Sequence, residues 1–106
     1  MIRIAVAEDE ASWAQQLQSY LDRYARESGQ SFDVVLFPDG EDLVERYQGQ
    51  FDLIFLDVQM RFLDGMATAE LIRRADPEVI IIFITNMAQY AIRGYEVDAL
   101  DYMLKP

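Results

Sequence analysis

Three acidic side chains stand at the ends of two apolar runs, where they could hold a metal ion or act as nucleophiles. The run IRIAVA leads into Glu8 and Asp9, and the run LIFL leads into Asp57. An acid that directly ends a strand buried on both faces is costly, which indicates a functional role. Three converging carboxylates would repel one another unless a cation lay between them. Mg²⁺ suits such a place, because it takes a few oxygen ligands and keeps several waters.

Some acids beside a helix have a purely structural explanation, because the helix dipole favours negative charge at the N-terminus. We prefer this interpretation for Glu10, which directly precedes a helical pattern. It does not suit Asp57, because seven residues separate Asp57 from the next predicted helix.

Two more polar residues end later apolar runs. Thr85 ends the run IIIFIT, and Lys105 follows the run DYML. A single threonine there is usually a turn residue, and a single lysine is usually a solvated charge. At the same end of successive strands, however, they would add a hydroxyl and an ammonium group to the acids, and lysine is a compact point charge for phosphate.

Alternating strand-like and helix-like runs must position these residues. We predict strands at 2–7, 32–37, 53–57, 79–84 and 101–104. We predict helices at 11–27, from Asp39 to Gly49, at 65–75 and at 88–93. This alternation implies right-handed crossovers and a parallel sheet covered on both faces. With the strand order 2-1-3-4-5, the acids would share one crevice at the carboxyl ends of the strands, where ligands bind in such sheets.

The composition fits one cytoplasmic globular domain and excludes several kinds of chemistry. The chain has 106 residues, 52% of them hydrophobic, so we expect a single packed core. It has no cysteine and no histidine, which excludes disulfides, thiolate ligands and the commonest general base. We recognise no signal peptide, and the longest apolar run, VIIIFI, is too short to span a bilayer.

The net charge predicts what this chain does not bind. With 19 acidic and 9 basic residues, the formal charge is −10. Such a surface repels phosphate backbones and anionic headgroups, so we expect no direct binding of nucleic acid or membranes by this domain.

Four motifs together resemble the receiver domain of two-component response regulators. They are AEDE, FLDVQM…DG, FITN and DYMLKP, in that order and at the family's spacing. The resemblance covers residues 1–106 and implies a flavodoxin-like (βα)5 fold. The tail YAIRGYEVDALDYMLKP more narrowly resembles LytTR-type response regulators, which regulate transcription through a DNA-binding output domain. We then expect a chain truncated after strand five, without the last helix and the output domain, that forms a homodimer or is marginally stable.

The resemblance implies the following roles at the acidic crevice. Asp57 would accept a phosphoryl group from a sensor histidine kinase. Asp9, Asp57 and the main-chain carbonyl of Gln59 would hold Mg²⁺ (or Mn²⁺), and Glu8 would act through a bound water. Glu8 stands where aspartate is more usual in the family, and it should still reach the ion through that water.

The resemblance also implies how phosphorylation would be transmitted. Lys105 and Thr85 would each contact a phosphoryl oxygen. Tyr102 would be the switch aromatic, swinging inward as Thr85 moves and changing the surface of strands four and five. The alternative for Tyr102 is plain packing with its hydroxyl in water. The domain would be a signalling module that assists its own phosphorylation and dephosphorylation, not an enzyme.

Three loop residues should tune the site. Arg61 replaces a usual proline, which predicts a less rigid loop after Asp57. Asn86 stands where a small residue is usual, and it could crowd the entry of the phosphoryl group. Met87 flanks the site and, with Gln59, should influence the lifetime of the phosphate.

Three rival functions are consistent with parts of the pattern. A flavodoxin-type cofactor binder would need a hydroxyl- and glycine-rich loop where the chain has AEDEAS. A phosphatase of the haloacid-dehalogenase type would need a second acid where Gln59 stands. The third rival is a degenerate receiver, a phosphorylation-independent interaction module. Asn86 and Arg61 leave it open, although the full set of site residues favours phosphorylation.

Overall fold

The structure, a computed structural model, describes residues 1–58, 60, 63–85 and 101–104. The strands are β1 (Ile2–Ala7), β2 (Phe32–Phe37), β3 (Leu53–Asp57), β4 (Ile80–Thr85) and β5 (Asp101–Leu104). The helices in these residues are α1 (Ala11–Ser28), α2 (Gly40–Glu45) and α3 (Gly65–Ala75). None of these helices is long and apolar enough to cross a membrane. The helix predicted at 88–93 lies outside the described residues.

The five strands form one parallel sheet in the order β2-β1-β3-β4-β5, as predicted. In this register Ala7 at the end of β1 pairs with Leu56 of β3. Asp57, the last residue of β3, pairs with Ile84 of β4. From β1 the chain adds β2 on one side of the sheet, and it then adds β3, β4 and β5 on the other side. The carboxyl ends of β1 and β3 therefore lie on either side of the crevice where parallel sheets bind ligands.

Side-chain alternation along the strands builds a core on each face of the sheet. On one face, α2 and α3 cover side chains that include Ile54, Leu56 and Phe83, all fully buried. On the other face, the partly buried Leu17 and Leu21 of α1 pack against Ile4 and Val6. The central strands are therefore apolar on both faces, which explains their nearly continuous hydrophobic sequence.

Two of the predicted boundaries are wrong. The second helix ends at Glu45, four residues before Gly49, because the side chain of Gln50 takes over the main-chain hydrogen bonding there. Its Nε2 donates to the carbonyl of Arg46 (3.0 Å), and its Oε1 accepts from the N–H of Gln48 (2.6 Å).

The fourth strand is displaced by one residue and runs from Ile80 to Thr85. The guanidinium of Arg73 binds the carbonyl of Val79, which holds Val79 in the turn before the strand. Elsewhere the predicted boundaries agree to within one residue, and Gly29 ends α1 in the left-handed conformation (φ 74°).

A partly buried tyrosine joins the turn after α2 to the end of α3. The Tyr47 hydroxyl donates a hydrogen bond of 2.6 Å to Asp76, the C-cap of α3. Burial, and then this hydrogen bond, raise the pKa of Tyr47 well above its ordinary value. The folded state therefore favours the protonated hydroxyl, and this stabilisation is complete below about pH 10, where free tyrosine is neutral.

We expect Tyr47→Phe to lower the free energy of unfolding by about 1–2 kcal/mol at pH 7, because Asp76 loses its donor. This difference in the free energy of unfolding should become smaller as the pH rises above about 10. The tyrosine of the unfolded wild type ionises first there, which lowers the stability of the wild type but not that of the variant. Urea unfolding of the wild type and Tyr47→Phe, at pH 7 and again above about pH 10, measures the difference. An equal deficit at both would contradict the assignment.

Candidate functional site

Three carboxylates meet at the carboxyl edge of the sheet. Glu8 and Asp9 directly follow β1, and Asp57 ends β3; one carboxylate oxygen from each lies within 4.8 Å of the others. Glu8 and Asp57 are only 7% and 5% exposed, whereas Asp9 is exposed. Two acids are therefore held in the wall of the crevice, and the third lies at its mouth.

Main-chain pairing fixes the position of two of these acids. The N–H of Glu8 donates to the carbonyl of Phe37 (3.1 Å), which continues the β1–β2 ladder beyond Ala7. Asp57 is still within β3 and pairs with Ile84. Both side chains are therefore attached to a rigid sheet, as a preorganised site requires.

The loop after Asp57 closes on itself at the start of α3. The N–H of Gly65 donates to the carbonyl of Val58 (2.8 Å), so the two ends of the loop meet. The carboxylate of Asp64 caps α3 by accepting from the N–H of Ala67 (2.8 Å). Asp64 and Gly65 are the DG of the motif FLDVQM…DG, but we predicted no role for either residue, although an aspartate before a helical pattern indicates an N-cap.

The other predicted site residues are placed in part. Thr85 ends β4 one residue beyond the partner of Asp57, and it pairs with Leu104 of β5. Tyr102 lies in β5, where it pairs with Phe83. The remaining predicted site residues lie outside the described part of the chain, and their roles stay predictions: Gln59, Arg61, Asn86, Met87 and Lys105.

The cluster has the size and chemistry for a hard divalent cation. Mg²⁺ binds oxygen at about 2.0–2.1 Å, so two ligands on opposite sides of one ion lie about 4 Å apart. A spread of up to 4.8 Å fits an ion bound directly by some of the carboxylates and through water by another. An all-oxygen site of this kind also favours Mg²⁺ or Mn²⁺ over softer metals.

Known proteins share this fold and sequence pattern. The response regulator receiver domain family matches residues 4–106. Sensory transduction protein LytT of Oceanobacillus iheyensis is 35% identical over 111 residues, an alignment that covers 99% of this chain and 42% of LytT. This chain therefore spans about two fifths of that relative, and the similarity agrees with the predicted LytTR-type resemblance.

Solved structures give the same result. The response regulatory domain of mrkE from Klebsiella pneumoniae superposes with a TM-score of 0.87 at 31% identity, covering 99% of this chain and 84% of that one. Response regulator TrrA from Thermotoga maritima, solved in complex with Mg(2+)-BeF, gives a TM-score of 0.85 at 25% identity, covering 100% and 88%. Because the family match runs from within β1 to the last residue, this protein belongs to the response regulator receiver domain family of two-component systems.

Proposed function

We propose that this receiver domain accepts a phosphoryl group on Asp57 from the phosphohistidine of a sensor histidine kinase, in a reaction that needs Mg²⁺. The observation that carries the proposal is the convergence of Glu8, Asp9 and Asp57 within 4.8 Å at the carboxyl edge of the sheet. Placing three acids there, two of them buried, costs stability and fits a site that binds a cation.

The proposed reaction needs one nucleophile and neutralisation of charge. A carboxylate oxygen of Asp57 attacks phosphorus, the phosphorus–nitrogen bond of the phosphohistidine breaks, and the released imidazole nitrogen takes a proton. Bound Mg²⁺ supplies neutralisation of the phosphoryl oxygens. We assign the ion to Asp9, Asp57 and the carbonyl of Gln59, with Glu8 acting through water.

Two residues should receive the new phosphate. In our proposal Lys105 pairs with one phosphoryl oxygen, and the Thr85 hydroxyl donates to another. Phosphorylation adds charge and acceptor oxygens that nearby donors must meet, so movement of Thr85 follows from it. Tyr102, three residues before Lys105, would then move inward and change the surface formed by β4 and β5.

The wider role follows from the family. We propose that the domain acts in the cytoplasm as a signalling module and not as an enzyme. Its switching surface would control a DNA-binding output domain in the full-length protein, and the domain would form a homodimer through the exposed apolar edge of the sheet. The domain itself, at a net charge of −10, would not bind nucleic acid or membranes.

Intact-mass spectrometry after incubation with acetyl phosphate tests this proposal. We expect a gain of one phosphoryl group in the presence of Mg²⁺ and none with EDTA. Without the cation, the negative charges of the acidic cluster would repel the negatively charged phosphoryl donor. No gain with Mg²⁺ would contradict the proposal and favour the phosphorylation-independent module. A gain that persists in EDTA would contradict the role of the metal.

A further inference from the structure

The first residue of α3 lies directly against the main chain of Asp57. A Cβ atom at Gly65 would overlap the carbonyl oxygen of Asp57, and it would lie 2.7 Å from Cα of Val58 and 2.8 Å from the carbonyl carbon of Asp57. Real Cβ atoms essentially never approach other atoms so closely. Only glycine therefore allows the helix to start at this distance from the strand.

This contact closes the loop that follows Asp57. The N–H of Gly65 donates to the carbonyl of Val58 (2.8 Å), so the first residue after β3 and the first residue of α3 are joined. The loop includes Gln59, whose carbonyl we assign to the metal. Gly65 thus touches the main chain of one proposed ligand and anchors the loop that bears another.

A second close approach holds the first turn of α3 in place. A Cβ atom at Gly40, the first residue of α2, would overlap the hydroxyl of Thr68, which is fully buried in α3. That hydroxyl donates to the carbonyl of Asp64 (2.8 Å), the N-cap residue of α3. Because Gly40 of α2 packs directly against Thr68, the first turn of α3 has little freedom to move away from Asp57.

We propose that Gly65 is a positioning residue for Asp57: by letting α3 lie on the Asp57 carbonyl, it fixes where the Asp57 carboxylate stands relative to Glu8 and Asp9. The inference rests on the metal-binding function proposed above. Mg²⁺ demands nearly ideal octahedral geometry at about 2.0–2.1 Å, so a small displacement of one ligand weakens binding. A displaced Asp57 would also meet the phosphoryl donor out of line.

The test compares two glycine-to-alanine variants by Mg²⁺ titration calorimetry and by the rate of phosphorylation from acetyl phosphate at saturating Mg²⁺. We expect Gly65→Ala to raise the Mg²⁺ dissociation constant about tenfold, as changes behind metal ligands commonly do, and to slow phosphorylation even when Mg²⁺ is saturating. The matched control is Gly49→Ala. Gly49 has φ 71° and open space around it, so alanine there strains the chain without touching Asp57.

Gly49→Ala should lower the melting temperature by about 5 °C and leave both the Mg²⁺ dissociation constant and the phosphorylation rate unchanged. If Gly65→Ala binds Mg²⁺ as the wild type does, or if Gly49→Ala weakens binding equally, the positioning role is wrong. If the wild type itself binds no Mg²⁺ and gains no phosphate, the proposed function fails and the inference falls with it.

If Gly65→Ala does not fold, the Thr68→Val variant tests the positioning role instead. Valine keeps the buried volume and removes the hydrogen bond to Asp64, so it loosens the first turn of α3 without a backbone clash. We expect a folded protein with a smaller, severalfold rise in the Mg²⁺ dissociation constant. A folded Thr68→Val protein with wild-type Mg²⁺ affinity would overturn the proposal.

Discussion

Replacing Asp57 with asparagine should reduce phosphorylation by acetyl phosphate and Mg²⁺ by about a thousandfold or more, which corresponds to about 4 kcal/mol of activation free energy. Asparagine has the shape of aspartate, but its amide is neutral and a poor nucleophile. It also removes one of the charges that hold the cation. The rate of mass gain in intact-mass spectrometry measures the effect.

The control is Asp22→Asn, which makes the same change of charge at an exposed position of α1. It should be phosphorylated at the wild-type rate. Circular dichroism should show that both variants are folded, because neither substitution changes side-chain volume appreciably. Phosphorylation of Asp57→Asn at the wild-type rate would mean that another residue is the acceptor, and it would refute the assignment.

The fold could be predicted closely because its strands are read from local sequence. Leu53 to Leu56 is an apolar run between Asp52 and Asp57, and the structure has a strand from Leu53 to Asp57, as predicted. The end of α2 could not be predicted in the same way. Gly49 is a typical helix stop, but Gln50 ends the helix earlier by bonding two main-chain groups with its side chain. Competition of that kind leaves no periodic pattern.

The meeting of the three acids was also predictable, since parallel strands bring their carboxyl ends to one edge of the sheet. Glu8 and Asp57 each follow an apolar run, and the strand order makes those runs neighbours. The contact of Gly65 with Asp57 was not predictable, because the two residues are eight positions apart and no local pattern sets the distance between α3 and β3. A glycine before a helical run suggests only a turn.

The acids of the crevice should lower the stability of the metal-free protein. Two unit charges 4.8 Å apart repel by about 3.5 kcal/mol at an effective dielectric constant of about 20. Solvent and other charges screen Asp9, which is exposed, so the net effect should be on the order of 1 kcal/mol. The dipole of α1 stabilises the charge of Asp9, because Asp9 directly precedes the N-cap Glu10. This stabilisation is worth about 0.3–1 kcal/mol. Because both Glu8 and Asp57 repel Asp9, we expect the repulsion to exceed the stabilisation by the helix dipole.

We therefore expect Asp9→Asn to have opposite effects with and without Mg²⁺. In EDTA the variant should be more stable than the wild type by on the order of 1 kcal/mol, because one repelling charge is gone. At saturating Mg²⁺ the order should reverse. A dissociation constant raised about a hundredfold removes up to about 2.7 kcal/mol of the stabilisation that binding gives.

Urea unfolding of the wild type, Asp9→Asn and Asp22→Asn, each in EDTA and in Mg²⁺, separates these effects. Asp22→Asn should follow the wild type in both solutions, since its side chain is exposed on α1 and not part of the acidic cluster. If Asp9→Asn were destabilised in EDTA and still gained the wild-type increment from Mg²⁺, Asp9 would be no metal ligand. The reversal is specific to a cation site, because neutralising an acid that only caps a helix would lower stability in both solutions.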